Sequence, residues 1–154
     1  MRPIHAVRTA RAALTLLALT SAGSVLAGTY ADQVNSNLQD RYDFWQNRDH
    51  GWTRLPDLRD TGLLHVGDSY TVTYTLVKGQ TYKIVGACDN DCTDIDFGLR
   101  DEGGNLIDSD TETDDIPVVE VTPARNGTFT LKTSMQKCSS DVGCKYGVDV
   151  YRSR

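Results

Sequence analysis

Residues 69–87, SYTVTYTLVKGQTYKIVGA, decide the fold. Tyr70, Val72, Tyr74 and Leu76 alternate with Ser69, Thr71, Thr73 and Thr75. A period of two with β-branched polar residues on the wet side is the signature of a half-buried strand. Lys78 and Gly79 supply a turn, and Tyr82 and Ile84 begin a second strand facing the same core. Downstream, DIDFGLR (94–100) puts Ile95, Phe97 and Leu99 on one face, and NLIDSD (105–110), PVVEV (117–121), GTFTLKTS (127–134) and KYGVDVY (145–151) continue the pattern between Gly, Asn and Asp turns. Seven or eight short strands without crossover helices exclude a parallel α/β fold. They predict an all-β, jelly-roll-like antiparallel β-sandwich.

Upstream the period changes. Tyr30, Val34, Leu38, Tyr42 and Trp45 fall at helical steps, while Asp32, Asp40 and Asp43 line the opposite side, predicting one short N-terminal amphipathic helix over 30–45. Its acidic polar face suits packing on the domain rather than a membrane surface, where basic residues are the rule. Gly51, Pro56 and Gly62 then break any period, so 49–62 reads as a connector.

The N-terminus carries Arg2, Arg8 and Arg11, an apolar run from Ala12 to Leu19, and small residues ending in Val25-Leu26-Ala27. This is the pattern of a secretory signal peptide cut after Ala27, with Ala31 as a second fitting site. The apolar run is far shorter than the ~20 residues a spanning helix needs. The expected organisation is therefore 1–27 signal peptide, 28–62 helix and connector, and 63–154 sandwich, a secreted or periplasmic monomer with no membrane insertion after cleavage. The precursor carries a net charge of −5, and loss of three arginines with residues 1–27 leaves 13 bases against 21 acids. That balance excludes nucleic acid as a partner and leaves an unidentified protein or polysaccharide.

Four cysteines, Cys88, Cys92, Cys138 and Cys144, lie beyond the expected cut. In an oxidising compartment two disulfides are the default among three connectivities. Cys88 with Cys92 and Cys138 with Cys144 is favoured, because each pair closes a short polar loop between strand-like segments. A four-cysteine zinc site is the competing reading, but the spacings are loose for it.

Between Asp89 and Asp115 stand eleven acids and one base, Arg100. Gathered carboxylates repel unless a cation neutralises them or water separates them. Calcium takes six to eight such oxygens, and the expected ligands are Asp89, Asp91, Asp94 and Asp96, with Asp114 and Asp115 arriving from a neighbouring loop. The opposing reading makes these aspartates solvated turn formers. Tyr42, Phe44, Trp45 and Trp52 form a second candidate, an aromatic contact surface for a sugar or peptide, against the reading that they staple the helix to the sandwich.

Catalysis is not expected. Only His50 and His65 follow the expected cut, neither in a recognisable catalytic motif, and paired cysteines are not nucleophiles.

Taken together, SYTVTYTLVKGQTYKI, DNDCTDIDFGLRDEGGNLIDSDTETDD, VTPARNGTFTLKT and YGVDVY resemble the bacterial pre-peptidase C-terminal domain family over residues 63–151. The resemblance implies a jelly-roll sandwich of the kind appended to secreted proteases and other hydrolases, where it assists secretion, is trimmed off or binds substrate matrix. Relatives in clostridial collagenases use acidic residues for calcium. A calcium-ordered binding module follows from this, or else an accessory or inhibitor of a secreted hydrolase. The helix and the two cysteine pairs are additions to the family pattern.

Overall fold

The computed structural model describes residues 22–49 and 51–154, with side chains from Thr29 onward except that of Asp49. The expected leader lies outside the described residues up to Ser21, and the backbone of residues 22–27 forms the first turns of a helix, α1, that runs Ala22–Asp49. His50 also lies outside them.

Nine strands follow: β1 (Trp52–Arg54), β2 (Asp60–Leu64), β3 (Ser69–Leu76), β4 (Tyr82–Cys88), β5 (Cys92–Arg100), β6 (Leu106–Asp110), β7 (Val118–Val121), β8 (Gly127–Cys138) and β9 (Cys144–Ser153). One sheet has the order β2-β9-β4-β7, with β1 sharing the same edge of β9, and the other has the order β3-β8-β5-β6. All pairings are antiparallel. Apart from the pairs β1–β2 and β5–β6, consecutive strands alternate between the sheets, in jelly-roll order. Below, sheet A is the one containing β9, and sheet B the one containing β8.

The stretch read as a connector is not irregular throughout. It contributes β1, β2 and a single 3-10 turn, Pro56–Leu58, between them. Short strands interrupted by Pro and Gly give no period that a sequence window can register. Both add to the edge of β9, where Gly62 lies opposite Tyr146.

The core between the sheets is built from the predicted inward faces, with Tyr74, Leu76, Ile84, Ile95, Phe97, Leu99, Leu131, Val148 and Val150 all buried. Tyr70, expected inward, is half exposed near the start of β3. The two outer faces differ. Sheet B presents Thr71, Thr73 and Thr75 to solvent, as its alternation requires. Sheet A is covered by α1, which buries Val34 and Leu38 against it. Burying two such side chains contributes about 3–6 kcal/mol. The helix sits close because Gly147 has no side chain: a Cβ there would stand 2.8 Å from Val34 Cγ1 and 2.9 Å from Leu38 Cδ1. Every residue of β9 from Tyr146 to Tyr151 is consequently buried.

Candidate functional site

Both disulfides form as expected, Cys88 with Cys92 and Cys138 with Cys144. Cys88 ends a strand of sheet A and Cys92 begins one of sheet B, while Cys138 ends a strand of sheet B and Cys144 begins one of sheet A. Cys92 and Cys138 are direct cross-strand neighbours. Two adjacent covalent links therefore clamp the sheets together at one end of the sandwich.

The turn within the first disulfide explains much of the acidic run. Asp89 is only 2% exposed, and its carboxylate accepts the backbone N–H groups of Lys145 at 2.7 Å and Asp91 at 3.3 Å. Burial pushes its pKa up, against the two N–H bonds that pull it down. Three residues of α1 stand on this same turn. Asn37 donates to the Cys88 carbonyl at 3.0 Å, Gln33 accepts the Asn90 N–H at 3.0 Å, and the Tyr30 hydroxyl bonds the Asp91 carboxylate, which raises the phenol's pKa. The Cys88–Cys92 turn is the footing of the helix.

The remaining expected calcium ligands are dispersed. Asp94, at a bulge in β5, pairs with Lys137 at 3.1 Å. Asp96 accepts the Gln136 amide at 2.7 Å, and its pKa is raised, chiefly by burial. Asp114 caps its own turn through the Ile116 N–H at 2.8 Å. Asp115 is half-buried, with its backbone oxygen 3.9 Å from Cys88 Sγ. Among the described residues no three His, Cys, Asp or Glu side chains gather as a metal ion requires. In this arrangement backbone N–H groups, Tyr30, Lys137 and Gln136 occupy five of the six aspartates expected to hold calcium.

Asp108 and Asp110, left out of that expected set, have a role no spacing rule would reveal. The Asp110 carboxylate accepts the Val118 N–H at 2.9 Å, and the Asp108 carboxylate accepts the Glu120 N–H at 2.8 Å. Strand β6 is an edge of sheet B and β7 an edge of sheet A. Two carboxylates at period two thus satisfy the exposed donors of an edge strand and sew the open side of the sandwich shut.

The aromatic candidates meet α1 and the sheet it covers. The Tyr42 ring stacks on Tyr151 with centroids 5.9 Å apart, and Trp45 and Trp52 flank the Lys83 ammonium at 4.0 and 4.4 Å. Trp52 is buried, Tyr42 and Trp45 are half-buried, and Phe44 is exposed beside Trp45. Beneath them Asp149, 1% exposed, lies 3.4 Å from Arg54 Nε and 3.7 Å from Arg59 Nε and accepts the Tyr151 hydroxyl at 3.4 Å. Burial and the Asp149 charge push the Tyr151 phenol up to about 12. The motif GVDVY reads as half-exposed, so this buried charge was not legible.

The disulfide end leaves apolar side chains exposed. Val142, between the second pair of cysteines, is 69% exposed, and Val66, in the β2–β3 turn, is 58% exposed. Leu63 is also exposed and rests against Gly143, whose added Cβ would stand 2.7 Å from Leu63 Cδ2. The tip is held rigidly: the Gly67 N–H donates to the Met135 carbonyl at 2.8 Å, and the Met135 N–H to the Asp68 carbonyl at 3.0 Å. Asp68, Asp91 and Asp141 surround it, and His65, 3.4 Å from Asp68, is exposed there. All four cysteines are in disulfides, leaving none as a nucleophile. Among the described residues no helix is long and apolar enough to cross a membrane.

No family model matches the chain, and no curated protein matches it. Among solved structures it is similar to the pre-peptidase C-terminal domain of a collagenase from Bacillus anthracis, at a TM-score of 0.46 and 12% identity over 60% of this chain and 86% of that one. It is similar to PliG of Aeromonas hydrophila, a periplasmic inhibitor of g-type lysozyme, at a TM-score of 0.42 and 12% identity over 67% of this chain and 85% of that one. A carbohydrate-binding module, CBM36, in complex with calcium and xylotriose, matches at a TM-score of 0.33 and 18% identity over 67% of this chain and 87% of that one.

Proposed function

We propose that the chain is an exported, non-catalytic binding protein that presents the disulfide end of its sandwich to a basic extracellular protein, in the manner of an accessory or inhibitor of a secreted hydrolase. One observation carries this reading: Leu63, on β2, and Val66 and Val142, on turns fixed by backbone hydrogen bonds and an inter-sheet disulfide, stand exposed together. Apolar side chains on a pre-organised tip lose little conformational entropy when a partner covers them. Asp68 and Asp141 beside the tip favour a basic partner. The disulfides support export, since thiols pair and persist in oxidising compartments. Calcium has no step in this reading, because the aspartates expected to hold it do not converge.

The test is binding of the oxidised chain to a panel of basic secreted hydrolases, proteases and lysozymes among them, with loss of the hydrolase's activity as a second readout. Expected is a complex weakened at least tenfold by Val66→Ser with Val142→Ser, both substitutions being at exposed positions that leave the fold intact and the charge unchanged. A panel without a single binder, or a complex that the double variant leaves unchanged, overturns the reading.

A further inference from the structure

At the end of the sandwich remote from the disulfides, the β5–β6 turn and the β7–β8 loop enclose a cleft of about 490 Å³. Its apolar floor is presented chiefly by Ile107, with only small exposed parts of Val121, Pro123 and Phe129, and its rim carries Glu102 and Arg125. Both walls are pre-formed. In the turn, the Asp101 carboxylate accepts the N–H groups of Gly103 and Asn105, each at 2.9 Å, and the Asn105 side-chain amide at 3.0 Å. These bonds, that of the Asn105 side chain first, hold Asp101 below the usual carboxylate range. Gly104 closes the turn at φ +81°, a conformation side chains disfavour. In the opposite loop, the Pro123 carbonyl accepts the Gly79 N–H and the Asn126 side-chain oxygen accepts the Lys78 N–H, both at 2.8 Å.

The polar groups of the rim have unequal capacity left. Asp101 spends its charge inside its own turn. Glu102 Oε1 accepts one bond from Arg125 Nη2, which spans the two walls. The guanidinium is 72% exposed, and among the described residues its Nε and Nη1 groups have no hydrogen-bond acceptor. A guanidinium offers a planar fork that matches a carboxylate. The free chemistry at the mouth is therefore a donor pair beside an apolar floor. A polyanion would meet Asp101 and Glu102, and a neutral sugar lacks an open aromatic face, because Phe129 is buried. A largely apolar, pre-formed cleft with few convergent polar groups is the usual form of a small-molecule site.

We propose that this cleft binds a small amphipathic anion, a monocarboxylate whose apolar body lies on the floor and whose head group takes the free edge of Arg125. The proposal is independent of the disulfide tip, which lies at the other end.

The probe is octanoate, titrated into the isotopically labelled oxidised chain and followed by amide chemical shifts, with octylammonium as the charge-reversed control. Expected are saturable shifts confined to residues 101–107 and 121–129, and none there from octylammonium. Arg125→Ala, an exposed substitution, should weaken octanoate at least fivefold. Glu102→Gln should tighten it, because it frees the guanidinium and removes a competing negative charge. No saturable shift, an equal response to octylammonium, or a Glu102→Gln variant that binds octanoate more weakly would each overturn the proposal.

Discussion

The Cys88–Cys92 and Cys138–Cys144 turns perform the same covalent task, each tying sheet A to sheet B at the same end of the molecule. Their surroundings differ completely. The first lies under α1, with Asp89 buried and Tyr30, Gln33 and Asn37 bonded to it. The second carries Asp141 and Val142 into solvent. The difference lies in who uses the turn. An aspartate beneath a helix is a structural acceptor for backbone donors, whereas one on an open loop is a surface charge available to a partner. Acid content alone cannot separate the two.

Removing the disulfides should give the largest asymmetry. Closing loops this short constrains the unfolded chain by about 2 kcal/mol per bridge. Cys138→Ala with Cys144→Ala should cost about that amount, because no helix stands on its turn. Cys88→Ala with Cys92→Ala should cost about 4 kcal/mol, since the helix loses the footing of several hydrogen bonds, each contributing about 1 kcal/mol. Denaturant unfolding measures both. Equal losses would mean that α1 is held by its other contacts, Val34, Leu38 and the Tyr42–Tyr151 stack among them, and that the turn is not its footing.

The next effect is that of single aspartates. Asp89→Ala leaves the Lys145 and Asp91 N–H groups without their acceptor in a buried turn, and a loss of about 3 kcal/mol is expected. Asp141→Ala, on the bare turn, should stay within about 0.5 kcal/mol of the native chain. A mild Asp89 variant would break the comparison, since it would make the buried carboxylate dispensable.

How far the sequence discloses this molecule can be judged from the same residues. The alternation of SYTVTYTLV placed Tyr74 and Leu76 in the core and Thr71, Thr73 and Thr75 outside, because period two is a local property of one strand. The disulfide pairing followed from short polar loops between strands. The role of Asp89 did not, because its partner Lys145 lies 56 residues away and the helix above it comes from another segment. Asp149 misled for the same reason: GVDVY looks half-exposed until α1 covers its second face. Strands β1 and β2 were missed because pairing with β9, rather than their own pattern, makes them strands. The cleft at the far end was invisible for an equivalent reason, being made by two loops about twenty residues apart.

A smaller effect concerns pH. Burial raises the Asp89 pKa above the ordinary value. Between that ordinary value, near ~3.9 in the unfolded chain, and the raised folded value, the native state holds a proton that the unfolded chain has released. This contribution is therefore fully present below the unfolded pKa and is lost as pH rises through the folded one. Asp89→Asn removes the titration, so the native-minus-variant stability difference should decline with rising pH across that window. A difference that instead rose with pH would mean the two N–H bonds outweigh burial.

The smallest expected effect is none. Calcium demands six to eight oxygens in one shell, whereas the acids around the first turn each face a different group. A calcium ion at this turn would have to take Asp89 from the Lys145 N–H, Asp91 from Tyr30, and Asp94 from Lys137. The buried bond alone is worth about 1.5–3 kcal/mol as a hydrogen bond to a charged group. Thermal unfolding of the oxidised chain should therefore coincide in calcium and in chelator at millimolar concentrations. A calcium-dependent rise, lost in Asp94→Asn with Asp96→Asn, would show instead that the ion reorganises the turn. The footing of α1 and a metal shell would then be alternative states of one acidic segment, and the contrast between the two turns would be one of ligand occupancy rather than of helix cover.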